Sequence, residues 1–294
     1  MKIIDCFMYF DEDLLLDLRL NILNKYVDKF IICEASYNHK GIKKKLNFDI
    51  SRFSKFRSKI NYIILEEQPD YLKIINNNDS EETKNSKILF NSINRDIFQR
   101  NHLLSEIKKC HDEDMILISD LDEIPNLENI NFQNKINFFC QKMFYYKFNL
   151  IYPNFVWYGT KGCKKKYFRT PQWLRNIKSK NYSWWRLDIF FSNQKYLNIN
   201  FIKNGGWHFT NLKRPVDLHH KMSNFAHHLE YEESGIGVEE LKEKIRQKKI
   251  IYNHHADKKD ISKWNSDIKL EVENDENLPK YLISKKNNYS EWFS

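Results

Sequence analysis

The chain has 294 residues, 41% of them hydrophobic and 15% aromatic, a globular composition able to bury a core in one large α/β domain or two small ones. Its formal charge of +9 gathers in runs such as Lys43-Lys44-Lys45 and Lys164-Lys165-Lys166; such runs attract nucleic acid, anionic lipid or phosphorylated substrates, although solvated lysines are the plainer account of any one of them. Five cysteines, at 6, 33, 110, 140 and 163, include no C-x-x-C pair, which excludes a disulfide framework and a Cys-based zinc site and points to a reducing cytoplasm.

Residues 2–10 are a strand-like apolar run. A helix is predicted over 14–26, where Leu15, Leu18, Ile22 and Tyr26 recur at helical spacing, and a second buried strand over 29–35. Strand, helix and strand in this order imply a βαβ unit and a parallel sheet. A basic loop, 36–46, leads to a third strand, 60–66. After a polar loop, 69–85, a long helix is predicted over 86–110, with Ile93, Ile97, Leu104 and Ile107 as its apolar stripe and Arg95, Arg100 and Lys108 away from it. Residues 115–120 form a short apolar strand ending in Asp120, Asp122 and Glu123. In the second half, 136–150 and 184–191 are aromatic strand-like runs, Gly205-Gly206-Trp207-His208 is a tight turn, and 215–230 is a helix rich in histidine. The N-terminus lacks the basic and apolar regions of a signal peptide, and no apolar stretch approaches the roughly 18 residues of a membrane span. A soluble cytoplasmic protein, with peripheral membrane contact open to its basic surface, is expected.

The acidic turn carries the chemistry. In open α/β sheets ligands bind beyond the carboxyl ends of the strands, where Asp120 and Asp122 stand at i, i+2 spacing. Two hard oxygen donors suit Mg²⁺ or Mn²⁺, ions that also take phosphate oxygens and neutralise a diphosphate leaving group. The plainer alternative is an acidic loop capping a helix that begins near Asn126.

Several short segments, weak singly but specific in their order, give the chain a resemblance to glycosyltransferase family 17. They are Asp5-Cys6-Phe7, Leu18-Arg19-Leu20-Asn21, Cys33-Glu34-Ala35, His39-Lys40-Gly41, Phe98-Gln99-Arg100-Asn101 and Leu117 through Pro125. In the second half they are Trp157-Tyr158-Gly159-Thr160, Gly205 through Phe209, and Ser223-Asn224-Phe225-Ala226-His227. The resemblance implies an α/β fold of the GT-A, Rossmann-like type, with a mostly parallel central sheet flanked by helices. It also implies an inverting mechanism, a divalent metal and UDP-N-acetylglucosamine as donor. The order of the elements suggests one catalytic domain over residues 1–240, divided into a nucleotide-sugar half (1–125) and an acceptor half (126–240), with 241–294 a helical or irregular extension packed on it.

Asp122 is the first expected metal ligand, with Asp120 on the metal or the ribose and His208 completing the metal shell or bonding a phosphate. Glu123 either touches the sugar or caps a helix. Arg100 and Asn101, on the helix before the acidic strand, are expected at the donor pocket, as is Trp207. Glu34 is a candidate for the ribose or uracil, Phe7 for stacking on the base, and Lys40 and Lys45 for phosphate. Arg19 is expected either at the donor or paired with a carboxylate. His227 is a further metal or sugar candidate. Inversion needs a general base; Asp188, beside Trp184 and Trp185, is the first choice, with Asp217 and Glu230 as rivals. The expected partners are a UDP-sugar and a glycan or glycolipid acceptor. The competing readings are a metal-dependent phosphoesterase acting on nucleotide diphosphates and a basic nucleic-acid-binding protein, the latter lacking any binding motif.

Overall fold

The fold was obtained as a computed structural model that describes residues 1–224, 228–254, 263–264 and 266–294. Among the described residues twelve strands, β1 (Ile3–Met8), β2 (Lys29–Ala35), β3 (Ile60–Leu65), β4 (Met115–Ile118), β5 (Glu123–Pro125), β6 (Asn137–Phe139), β7 (Gln141–Tyr145), β8 (Leu150–Trp157), β9 (Lys161–Lys164), β10 (Asn200–Ile202), β11 (Gly206–Thr210) and β12 (Glu271–Val272), form two sheets. The helices are α1 (Asp13–Leu23), α2 (Glu81–His102), α3 (Leu104–Ile107), α4 (Pro171–Asn176), α5 (Pro215–Met222), α6 (His228–Glu233), α7 (Val238–Arg246) and α8 (Lys280–Ser284).

The expected α/β architecture is present. In the seven-stranded sheet, of order β10-β6-β9-β4-β1-β2-β3, β4, β1, β2 and β3 run parallel. The sheet is mixed rather than wholly parallel, because β9 runs antiparallel between β4 and β6. Both faces are covered, which is why β1, β2 and β4 read as largely apolar runs rather than alternating ones, with Asp5 and Glu34 the buried exceptions. One core packs α1 through Leu15, Leu16, Leu18, Leu20 and Leu23 against Phe7, Phe30 and Leu117; the other lies across the sheet on Cys6, Ile31 and Ile116. The second sheet, β12-β8-β7-β11-β5, has a core of its own around Met143, Tyr145 and Tyr152.

The tail beyond residue 240 is built into the protein. β12 extends the second sheet beside β8, while Leu278, Leu282 and Tyr289 enter the first core. All five cysteines are free thiols. Among the described residues no helix is long and apolar enough to cross a membrane.

Three local expectations change. Residues 184–191 form no strand; they contain a 3₁₀ turn, Leu187–Ile189, and expose their aromatics. No helix begins near Asn126, whose amide instead bonds the Gly205 carbonyl at 2.9 Å. Gly206, Trp207 and His208 open a strand, not a turn. Gly206 has φ +127, and a Cβ there would lie 2.2 Å from the Ile124 carbonyl oxygen, so this crossing of β11 and β5 requires glycine.

Candidate functional site

The parallel strands β4, β1 and β2 end at one edge of the first sheet, and a cavity of about 240 Å³ opens there. Its wall takes Met8 at the end of β1 with Tyr9 and Phe10 just beyond, Ala35 at the end of β2, and Asp120, Leu121 and Asp122 beyond β4. The loop after β2 adds Tyr37, Asn38, His39 and Lys44, and α5 adds Lys221. From α2 come Asp96, Gln99 and Arg100. Ser80 caps that helix by accepting from Thr83 N, so it begins five residues earlier than the apolar pattern suggests. Its most buried positions, Asn91, Ser92, Gln99 and Arg100, are polar, and Ser92, Asp96, Gln99 and Arg100 share one face at i, i+4, i+7 and i+8. Arg100, expected at the donor pocket, is therefore turned inward and lines the cavity.

Arg19 fixes the acidic turn from below. It is fully buried and forms a two-pronged ion pair with Asp5, Nε to Oδ2 at 2.8 Å and Nη2 to Oδ1 at 2.6 Å. Nη1 donates to the carbonyls of Asp120, Leu121 and Glu123, and Nη2 to Ser119 Oγ. Every donor is taken, so Arg19 shapes the site by holding backbone and has nothing left for a donor sugar.

Arg175, on α4, was not marked by any sequence pattern. Its guanidinium donates to Asp120 Oδ2 at 2.8 Å, to both carboxylate oxygens of Glu123 and to the Gly159 carbonyl. Arg100 approaches Asp120 Oδ1 at 3.3 Å and bonds Asp96 at 2.7 Å. Burial opposes the charge on Asp120, but Arg175 and Arg100 outweigh it and hold the carboxyl well below its ordinary value. A carboxyl whose folded-state pKa is depressed gives stability that is present above its unfolded value, 3.8 here, and lost as pH falls through the folded one. The expected outcome is that Asp120→Asn is less stable than the parent at pH 6 and that the gap in urea midpoint closes steadily as pH drops below about 4. A gap unchanged down to pH 3 would show that the two arginines do not stabilise this carboxylate.

Asp122 is the freer acid. His208 Nε2 stands 3.5 Å from its Oδ2, and among the described residues no lysine or arginine is within ion-pair reach of it. Burial again opposes ionisation, while His208 and then Lys221 lower the pKa. The imidazole of His208 stacks on Trp157 at 4.9 Å, and its Nδ1 is buried with no partner. Lys221 faces the same acids: burial disfavours its charge, but Glu12, Asp122, Asp11 and Asp120 raise its pKa overall.

Among the described residues no group of three His, Cys, Asp or Glu converges as a ready-made metal cluster. The expected trio of Asp120, Asp122 and His208 is thus not a closed metal cage. Two cavity-lining carboxylates, one of them without a cationic partner, still suit Mg²⁺ or Mn²⁺, which bind through one or two carboxylates and complete their shell with phosphate and water. His208 does not line the cavity but stands beside Asp122, its Nε2 3.5 Å from Oδ2.

Several expected contacts fall elsewhere. Phe7 is fully buried in the core with Arg19 over its ring, so it cannot stack on a base. Glu34 is also fully buried and anchors the following loop, accepting from Asn47 N, Phe48 N, Tyr62 OH and Lys44 Nζ. Glu123 is fully buried, bonded to Asp120 N, Trp157 Nε1 and Arg175; it holds the turn rather than touching a sugar. Asn101 accepts from Gln172 N and ties α2 to α4. Lys40 pairs with Glu232 at 2.9 Å, and neither Lys40 nor Lys45 lines the cavity; their neighbours His39 and Lys44 do. Burial lowers the pKa of His39, which sits 3.8 Å from Asp96.

Trp207 points away from the site and donates Nε1 to the Asn277 carbonyl at 2.7 Å, because successive strand residues face opposite sides and His208 takes the inner one. Asp188 is outside the cavity, locked by Arg186 at 2.8 Å and Lys195 at 2.5 Å. Asp217 and Glu230 do not line the cavity either, and Glu230 is paired with Lys263. His227 lies outside the described residues. Of the residues singled out in the sequence, Asp120, Asp122 and Arg100 meet in the cavity with His208 beside them; Glu12, His39, Lys44, Asp96 and Lys221 join them unforeseen.

No curated protein matches the chain. A family model described as Glycosyltransferase family 17 matches residues 1–291.

Proposed function

The chain belongs to glycosyltransferase family 17, and from that premise we propose that it transfers N-acetylglucosamine from UDP-N-acetylglucosamine to a hydroxyl of a glycan or glycolipid acceptor, with inversion and with Mn²⁺ or Mg²⁺. The observation that carries this reading is the pair Asp120 and Asp122 at the end of β4, in a cavity whose wall also bears Arg100, Lys44 and Lys221. Acids alone would repel a diphosphate, and cations alone would bind it without selecting a metal complex; the cavity offers both. Asp122, with Asp120, would hold the divalent ion, whose charge, when bound, offsets that developing on the departing UDP. Lys221 brings an ammonium group to the same space, the Lys44 ammonium being held by Glu34, and among the described residues the buried Arg100 Nε has no hydrogen-bond partner.

The acceptor hydroxyl must lose its proton to a carboxylate within the cavity. Asp96 and Asp120 are bonded to arginines, and Asp122 faces His208. Glu12 has only the Asp11 amide at 3.1 Å and Lys221 at 3.8 Å among the described residues, so it is the best-placed base. Glu12→Gln is expected to lower kcat about a hundredfold with the donor KM unchanged; an unaltered kcat would return the role to another carboxylate.

The reading itself is tested by a thermal-shift screen of nucleotide sugars with and without Mn²⁺, followed by product analysis. Stabilisation by UDP-N-acetylglucosamine and release of UDP with a glycosylated acceptor are expected. Release of UMP would mean cleavage within the diphosphate, and stabilisation by a different nucleotide sugar alone would replace the donor.

A further inference from the structure

Residues 184–191 break the rule that large apolar side chains cluster out of water. Trp184, Trp185, Leu187, Phe190 and Phe191 are 76%, 67%, 73%, 68% and 91% exposed. Large apolar side chains left exposed together on one short segment, with the Trp184 and Trp185 ring centres 6.1 Å apart, mark a contact surface. The segment is anchored at its base, where Lys178 N bonds the Gln194 carbonyl at 2.8 Å, and within it, where Ile189 is buried and Asp188 joins Arg186 to Lys195. The exposed rings therefore sit on a held loop.

Charge selects the occupant. Between residues 177 and 197 four cations, Lys178, Lys180, Arg186 and Lys195, face one acid, Asp188, and that acid is already bonded to two of them. Lys178 and Lys180 are exposed. Exposed apolar rings and exposed lysines within one short segment match an anionic bilayer surface, where tryptophan prefers the interface and lysine meets the headgroups. A flat sugar platform is not offered, since the Trp184 and Trp185 rings stand at 81° to each other. We propose that residues 184–191, with Lys178 and Lys180 beside them, dock the protein peripherally onto an anionic lipid surface.

The experiment is co-sedimentation of the full chain with phosphatidylcholine vesicles, with and without phosphatidylglycerol. Binding at least about tenfold tighter to the anionic vesicles, weakening as salt rises, is expected. Tryptophan emission should shift to the blue and be quenched by lipids labelled near the headgroup. The triple variant Trp184→Ser/Trp185→Ser/Phe191→Ser should lose that binding while keeping the parent's melting temperature and its shift with nucleotide sugar. Equal vesicle binding by the variant, or none by the parent, would overturn the proposal. So would concentration-dependent dimers of the parent, lost in the variant, without vesicle binding, since the patch would then be a protein interface. Vesicle binding needs no donor, so its failure would leave the transferase reading standing.

Discussion

Asp122→Asn should reduce transfer by about three orders of magnitude, equivalent to roughly 4 kcal/mol of lost transition-state stabilisation. The substitution keeps the side chain's shape and removes its charge. Of the two acids beyond β4, Asp122 is the one without an arginine partner among the described residues, so its charge is more open to an incoming cation than that of Asp120. Asp120 shares its charge with Arg100 and Arg175, and Asp120→Asn should therefore lose less activity than Asp122→Asn. Because among the described residues the ion-pair contact of Asp122 is the long one with His208, stability should change by less than about 1 kcal/mol. Two measurements separate a missing metal ligand from a damaged fold. The variant should unfold at the parent's urea midpoint, and Mn²⁺ with UDP should no longer raise its melting temperature. Parental turnover, or an undiminished shift with Mn²⁺ and UDP, would remove Asp122 from the site.

What the sequence made visible follows from which physical signals are local. β1, α1, β2, β3 and β4 each carry an apolar run or a helical period, and they lie where those patterns put them. The acidic turn was visible because an apolar strand stopping in Asp-Leu-Asp-Glu is an abrupt change over a few residues. Orientation was harder. Trp207 and His208 are adjacent in sequence but face opposite sides of β11, and only the pairing with β5 and β7 decides which one looks inward. Arg175 was invisible because its partners, Asp120 and Glu123, are more than fifty residues away and α4 is too short to announce itself. The polar face of α2 carries no apolar pattern to mark it as buried, because its burial comes from bonds to Asp120, Gln172 and the Cys33 carbonyl, not from apolar side chains. Residues 184–191 show the opposite failure. Their aromatic content matches a buried strand, yet they are exposed, which composition alone cannot distinguish from core.

The second large effect belongs to a residue that never meets the substrate. Arg19→Met should destabilise the protein by about 3–5 kcal/mol, because it leaves the Asp5 carboxylate buried without its partner. At this chain length that corresponds to a fall in melting temperature of about 10 °C. Transfer should fall as well, since the carbonyls of Asp120, Leu121 and Glu123 lose the guanidinium that gathers them into one turn. A double variant separates the two roles. Asp5→Val in the Arg19→Met background removes the stranded charge and puts a β-branched residue into a central strand, so part of the stability should return. The three carbonyls and Ser119 Oγ remain without their donor, so activity should stay low. If the double variant recovered activity in step with stability, Arg19 would matter only as half of an ion pair. If Arg19→Met melted with the parent, the buried pair would not stabilise the sheet edge on which the acidic turn is mounted.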